Sequence, residues 1–349
     1  MKYTYNQNGI EAINEFINRS KPSKIIVITD DNTRKYCLPV FKNLFSFEFT
    51  NVNVKNGDEN KNIHTLTGIW DKLLQIDADR KSLIINLGGG MVTDIGGFAA
   101  VTFKRGIDFI HVPTSLLGMV DAAIGGKNGI NFKQAKNQIG TIVPPQFVWI
   151  NTGFLASLSG EEIDSGFAEM LKHGLIADKT YWNDLVTHHS VFRSNNDKEK
   201  ILTLIKTSVD IKDRVITSDP KEQGLRKILN FGHTLGHAIE SHLNYHKNMP
   251  VSHGKAVAVG MILAAYLSFK LLNFSIAQRD EIKKSILSIY AMIDFSKSDI
   301  ENIIKLLAYD KKNENGIINF VLLSEIGAPV LDQQVPDNTI REAFDYYKA

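Results

Sequence analysis

Short apolar runs rich in Ile and Val recur through the first 150 residues, each ending in polar residues or glycine. Lys24–Ile28, Phe47–Val54, Ser82–Leu87, Asp108–Val112 and Phe147–Ile150 read as strands on that pattern. Between them, stretches such as Leu66–Ile76 and Thr93–Phe103 repeat apolar residues at helical spacing. Strands alternating with helices predict a parallel sheet covered on both faces. Beyond Pro145 the pattern changes. From Gly160 onward it is mostly helical, except for the apolar run Ile317–Leu323 before Gly327. This places a boundary near residues 150–155 and predicts an α/β domain over 1–152 and a helical domain over 153–349. A cleft between two such domains is the expected place for a ligand.

Composition narrows the class. The chain has 349 residues, 43% hydrophobic and 22% charged, which is ordinary for a globular protein of about two domains. Net charge is +2 and no Lys/Arg run exceeds a pair, so no nucleic-acid partner is expected. The longest apolar stretch, Ala256–Leu267, falls short of the ~20 residues of a membrane span, and the N-terminus lacks the apolar core of a signal peptide. No membrane partner is expected. Cys37 is the only cysteine, which excludes an internal disulfide and a cysteine metal cage. A reduced, cytoplasmic compartment is expected.

Several segments carry candidate chemistry. Gly88-Gly89-Gly90 follows a strand and opens a helix with Asp94, Gly96 and Gly97. Such a turn lets backbone N–H groups approach a phosphate, although the strict G-x-G-x-x-G pattern is not met. Asp30-Asp31-Asn32 ends the first strand; it could meet a ribose, or Asp31 or Asn32 could cap the next helix. Over 225–240, Arg226, Asn230, His233, His237 and Glu240 recur every three or four residues. On one helix they fall within about 80° and form a polar stripe lining a cleft. Gly232 and Gly236 inside that helix suggest close approach by a neighbour. Histidines four apart can share a metal, or one can bind metal while the other moves protons. His253 sits just before an apolar helix and can join them. Glu169 stands in an apolar stretch with Lys172 at i+3, either as an intrahelical pair or as a buried metal ligand. One Glu and two His would leave open positions for substrate oxygens. Lys127, after two glycines, is read as an ammonium on a flexible turn. With Asp121, Lys136-Asn137, Lys212, Arg226 and Lys311-Lys312, it points to a doubly anionic substrate.

Taken together, these segments resemble the 3-dehydroquinate synthase family over nearly the whole chain and in the same order. The resemblance rests on Gly88-Gly89-Gly90-x-x-x-Asp94, Arg105-Gly106, Val112 to Leu117, Asp121 to Asn131 and Lys136 to Gly140. It continues through Ala168-Glu169-x-x-Lys172, Gly224-Leu225-Arg226, Leu229 to His237 and His253-Gly254. It implies a Rossmann-like NAD-binding N-terminal domain and a mainly α-helical C-terminal domain for metal and substrate. Glu169, His233 and His253 would hold one divalent metal, zinc or cobalt, and His237 would carry protons. Asp121, Lys127, Asn137, Lys172, Lys212, Arg226, Asn230 and either Lys311 or Lys312 would contact substrate. NAD would meet Asp30, Asn32, Asp58, Lys61, Gly89, Gly90 and Asp94. Its further contacts would be Thr114, Ser115, Lys127, Lys136, Phe154 and Ser157. A homodimer is implied, with Arg105 reaching the neighbouring subunit's site.

The implied reaction converts 3-deoxy-D-arabino-heptulosonate 7-phosphate to 3-dehydroquinate and phosphate. It runs through transient oxidation by NAD, phosphate elimination, re-reduction, ring opening and aldol closure. Three departures stand out: Asp58 where Glu is usual, Ala135 where Gly is common, and Asn128 where Thr is common. The rival readings are a cyclase making a valiolone or an inosose, a metal-dependent alcohol dehydrogenase, and a catalytically dead regulator. Lys212, Arg226 and Asn230 favour an acid substrate over the first, and the intact ligand set weighs against the last.

Overall fold

The computed structural model describes residues 2–133, 135–307 and 318–349. Lys311, Lys312 and Ile317 lie outside the described residues. The chain divides into two compact units, Met1–Ser159 and Gly160–Ala349. The division falls later than the expected 152/153. The short turn Thr152–Ser157 belongs to the first unit: the Phe154 ring meets Trp149 edge-on at 6.2 Å, and the Ser157 hydroxyl lies 3.6 Å from the Cys37 sulfur.

In the first unit the strands are β1 Tyr3–Tyr5, β2 Ile25–Asp30, β3 Thr50–Val54, β4 Leu83–Gly88, β5 Asp108–Pro113, β6 Lys127–Phe132, β7 Ala135–Ile142 and β8 Val148–Ile150. Six of them form one parallel sheet in the order β1-β8-β5-β4-β2-β3. Every residue of β2 and β4 is buried. Both faces are covered, which is why these strands read as continuous apolar runs rather than alternating ones. The helices are α1 Asn6–Ser20, α2 Asp31–Tyr36, α3 Leu38–Leu44, α4 Ile63–Gln75 and α5 Gly90–Thr102. From β2 the chain moves outward to β3, then returns past β2 to β4 and on to β5. The carboxyl ends of β2 and β4 therefore flank the point where the winding reverses, where open α/β sheets bind ligands. Asp30 ends β2 and the three glycines end β4.

Outside this sheet, β6 and β7 form an antiparallel hairpin. Lys127 is its first residue, so it is held in a strand and not on a flexible turn. β1 and β7 are elements the apolar pattern did not mark: β1 has three residues, and β7 is exposed along almost its whole length.

The second unit contains α6 Gly160–Ala177, α7 Lys179–Ser194, α8 Lys198–Ser218, α9 His233–Ser241, α10 His253–Leu272, α11 Ile276–Ile289, α12 Lys297–Leu307 and α13 Asp337–Lys348. It also holds an antiparallel hairpin of β9 Asn319–Glu325 and β10 Ala328–Gln334, turning at Gly327 in left-handed backbone (φ +93°). By length and composition α10 could cross a membrane, but its most apolar window is 67% buried within the protein. It is the core helix on which α6, α9 and α13 pack. The α9–α10 crossing is close: a Cβ on Gly260 would stand 2.0 Å from the Gly232 carbonyl oxygen, and one on Gly236 3.0 Å from Val257 Cα.

The expected single helix over 225–240 does not exist. Leu225–Asn230 is a 3-10 turn, Gly232 turns the chain in left-handed backbone (φ +75°), and α9 begins at His233. Gly232 stands at the N-cap of α9 instead of sitting inside a helix.

Candidate functional site

At the switch point of the first unit, Gly89 precedes the first turn of α5 in extended backbone and leaves the helix's amino end uncapped by any side chain. Gly90 has no room for a side chain, because a Cβ there would lie 2.9 Å from the Ala122 methyl. Thr114, following β5, bonds through its amide to the Gly88 carbonyl at 3.0 Å, and the Ser115 hydroxyl accepts from the Gly118 amide at 3.1 Å. Free amide groups at a helix start, beside small residues, suit a pyrophosphate. At the end of β2, Asp30 caps α2, accepting from the Thr33 amide at 2.7 Å and its hydroxyl at 3.0 Å. Asp31 and Asn32 are exposed beside it, so the helix cap is neither of the two expected candidates. Asp31 accepts from the Asn53 amide at 2.7 Å.

Asp58, Lys61, Asp94 and Lys136 come together. The buried Lys61 ammonium lies 3.1 Å from Asp94 and 3.4 Å from Asp58, and Lys136 lies 3.7 Å from Asp58. Burial raises the Asp94 carboxyl to about 6, against the opposing pull of Lys61. Burial pulls Lys61 down, but Asp94 and Asp58 outweigh it and hold the ammonium above its ordinary value. Asn131 ties the group to the hairpin: its amide donates to the Asp58 carbonyl at 3.0 Å, and its oxygen accepts from the Asn137 amide at 2.9 Å. Asp121 lies in a short π-turn over Gly118–Ala122, and its charge adds to the rise at Asp94. Arg105 is exposed, in left-handed backbone (φ +70°) beyond α5. The Phe154 ring is 2% exposed, so its side chain belongs to the core and offers no face to a cofactor. Ser157 bonds back to the Phe154 carbonyl at 2.8 Å.

In the second unit, α6, α9 and α10 converge on Glu169, which is fully buried. Its two oxygens have different duties. Oε2 is ion-paired to Lys172, itself 1% exposed. Oε1 is buried with no aligned hydrogen-bond donor, yet His233 Nε2 and His253 Nε2 lie 3.1 and 3.3 Å away. Lone pairs that close, without donor geometry, match the edges of a tetrahedron around a zinc-like ion, roughly 3.4 Å for ligand bonds near 2.1 Å. The far nitrogen of each ring is also engaged. His233 Nδ1 lies 3.2 Å from the Phe231 carbonyl, and His253 Nδ1 lies 3.1 Å from Glu240 Oε2. Such partners orient ligating imidazoles and fix their tautomers. Both histidines are the first residue of their helix.

Burial opposes ionisation of Glu169, but Lys172, His233 and His253 outweigh it and hold the carboxyl well below its usual range. Burial lowers His233, favouring the neutral ring a metal needs. For His253 burial also pulls down, yet Glu169 and Glu240 raise it to about 10. A metal there would displace a proton. The residues fit a divalent ion. The His237 ring stands T-shaped to His233 at 5.2 Å and 5.7 Å from His253, beside the ligand set.

Lys212 and Arg226 are buried. Arg226 is fixed at both ends: its amide donates to Asp219 at 3.0 Å, and its guanidinium donates to the Pro220 carbonyl at 3.0 Å. Arg226 and Asn230 share the 3-10 turn and not a helix face with the histidines. Glu240 was placed in the polar stripe without a role. A carboxylate three residues after His237, on the same short helix as two histidines, is the signal that gives it one.

Residues 51–165 match the family described as 3-dehydroquinate synthase N-terminal, and residues 166–313 the one described as 3-dehydroquinate synthase C-terminal. A 3-dehydroquinate synthase of Parabacteroides distasonis is 42% identical over 338 residues, covering 96% of this chain and 94% of its own. One from Methylacidiphilum infernorum is 39% identical over 324 residues, covering 91% and 86%. Among solved structures, a 2-deoxy-scyllo-inosose synthase complexed with carbaglucose-6-phosphate, NAD+ and Co2+ is similar at a TM-score of 0.80 and 26% identity, over 97% of this chain and 95% of that one. A 2-epi-5-epi-valiolone synthase from Streptomyces hygroscopicus, with NAD+ and Zn2+ bound, shares the fold at a TM-score of 0.86 and 24% identity, over 99% and 96%.

Proposed function

The chain belongs to the 3-dehydroquinate synthase family and is a phosphorus–oxygen lyase of the shikimate pathway, and we propose how its residues divide the work. It converts 3-deoxy-D-arabino-heptulosonate 7-phosphate to 3-dehydroquinate and phosphate, using NAD and one divalent metal. The observation that carries the assignment is the convergence of His233 Nε2 and His253 Nε2 on the unaligned Oε1 of Glu169.

Glu169, His233 and His253 hold the metal, with Glu240 steering His253. When bound, the metal supplies a Lewis acid and NAD a hydride acceptor that later returns its hydride. His237 takes the proton from the C5 hydroxyl oxygen and gives it back on re-reduction. A substrate with a carboxylate and a phosphate needs cations for each. Arg226, Lys212 and Asn230 meet the carboxylate end, and Lys172, Lys127, Asp121 and Asn137 orient the rest of the chain. Binding then fixes the substrate in the conformation from which each later step follows with little further reorganisation. Gly89, Gly90, Thr114 and Ser115 face the NAD pyrophosphate. Asp30, Asn32, Asp58, Lys61, Asp94, Lys136, Lys127 and Ser157 complete the cofactor contacts. The protein acts as a cytoplasmic homodimer in which Arg105 serves the neighbouring subunit's site.

The test is an incubation of the purified protein with the heptulosonate phosphate, NAD and zinc. Phosphate release without net NADH supports the reading. Steady NADH accumulation without phosphate would replace it with a dehydrogenase.

A further inference from the structure

Among the buried titratable groups the mechanism leaves unused is a histidine of the central sheet. His111 lies within β5 and is 2% exposed. Asn86 of β4 places Nδ2 3.2 Å from His111 Nδ1, and the Asn128 oxygen of β6 and His111 Cε1 meet over Gly97, 1.9 and 3.2 Å from where its Cβ would stand. Burial lowers the imidazole to about 3, against the pull of Asn128, so the ring is neutral at working pH.

Asn128 commits its amide group fully. Nδ2 donates to the Gly126 carbonyl at 2.9 Å and to the Val143 carbonyl at 2.8 Å. Gly126 immediately precedes Lys127, and Val143 immediately follows Ile142, the partner of Lys127 across the hairpin. The Val143 amide also donates to the Gly126 carbonyl at 2.8 Å. One side chain thus clamps both strands at the base of the hairpin, beside Lys127. The Asn128 oxygen is buried without an aligned donor, beside the His111 ring over Gly97. With Asn86 donating to Nδ1, the neutral ring carries its hydrogen on Nε2, a donor of the kind the nearby Asn128 oxygen needs.

The neighbouring helix is shaped around this chain of groups. A Cβ on Gly96 would lie 1.9 Å from Asn86 Oδ1, and one on Gly97 1.9 Å from Asn128 Oδ1. Three polar side chains at this depth are expensive compared with apolar residues of equal volume, unless their directionality serves a purpose.

We propose that Asn86, His111 and Asn128 form a positioning chain that sets the Gly126–Lys127 peptide and so aims the Lys127 ammonium at the substrate. The proposal rests on the assignment of Lys127 as a substrate contact. His111 itself touches no reactant.

Four single variants and one double variant test it by steady-state kinetics, NAD affinity and thermal unfolding. His111→Phe keeps the volume and removes the hydrogen bond from Asn86 and the ring N–H on the Asn128 side. It is expected to raise KM for the sugar-acid phosphate about tenfold, with any loss of NAD affinity no larger than that of Lys127→Met. His111→Gln keeps a donor and an acceptor, and is expected to restore KM to within about twofold of the parent. Asn128→Thr keeps one donor and is expected to fall between, which supplies the readout if the Phe variant does not fold. In a Lys127→Met background, His111→Phe should raise KM no further. A Gln variant as impaired as Phe, or a full additional effect on top of Lys127→Met, overturns the chain and leaves the ring as core filling. A Lys127→Met enzyme with unchanged KM removes the premise instead, and the proposal with it.

Discussion

At the scale of single residues, the metal set and its neighbours make separable predictions. Glu240 steers His253 through a 3.1 Å contact. Glu240→Gln is expected to weaken metal affinity about 10–100-fold, read by competition with a chromogenic chelator, while NAD affinity stays put. His237 stands beside the ligands, its ring 5.2 Å from His233 and 5.7 Å from His253. His237→Ala is expected to keep its metal content and to lose kcat by about 10²–10⁴-fold, with a changed pH–rate profile. A variant with full kcat at every pH would remove His237 from the proton path. Both roles were only partly legible from residue order. Spacing alone left either histidine free to be ligand or proton carrier, because helical periodicity reports a shared face and not which nitrogen is engaged elsewhere.

Elements were legible where burial wrote an unambiguous pattern. β2, β4 and β5 announced themselves as apolar runs because the sheet is covered on both sides. β7 did not, since its residues are exposed whatever their type. The polar stripe over 225–240 failed at Gly232. A left-handed turn leaves the spacing of polar residues intact while breaking the helix that spacing assumes. Beyond α9 the chain continues as a π-turn, His242–His246, and is anchored to the start of α12 by Asp299. That carboxylate accepts from His242 at 2.8 Å, Lys247 at 2.7 Å and the Ser296 amide at 2.8 Å. Burial works against its charge, but Lys247, Ser296 and His242 outweigh it and hold the carboxyl below the usual range. A carboxylate held low in the fold contributes stability above its unfolded value near pH ~4, and that contribution is lost as pH falls toward the folded one. Asp299→Asn is therefore expected to cost about 2 kcal/mol at neutral pH, with parent and variant unfolding curves converging below pH ~4.

For the molecule as a whole, family membership supplies what no single element could: the substrate and the order of steps. Physical reading of the residues reached an enzyme with a Glu/His site and cations for an anionic ligand. The homodimer can be tested through Arg105. Arg105→Ala and His237→Ala proteins, each impaired alone, are expected to regain part of the parent activity when mixed and allowed to exchange subunits. No recovery, with exchange confirmed by mass, would confine Arg105 to its own chain.

The division of Glu169 between Lys172 and the histidines has a practical consequence for how the enzyme is handled. Removing an ion from a buried carboxylate ordinarily strands its charge, yet here an ammonium on the other oxygen stays behind as a resident counterion. The cavity should survive emptying, unlike a zinc finger that unravels without its ion. Chelated protein is expected to lose turnover, keep its unfolding temperature within a few degrees, and recover on adding zinc or cobalt without passing through the unfolded chain. The ion would then act as an exchangeable part, and the purified enzyme's metal would record the supply in its surroundings.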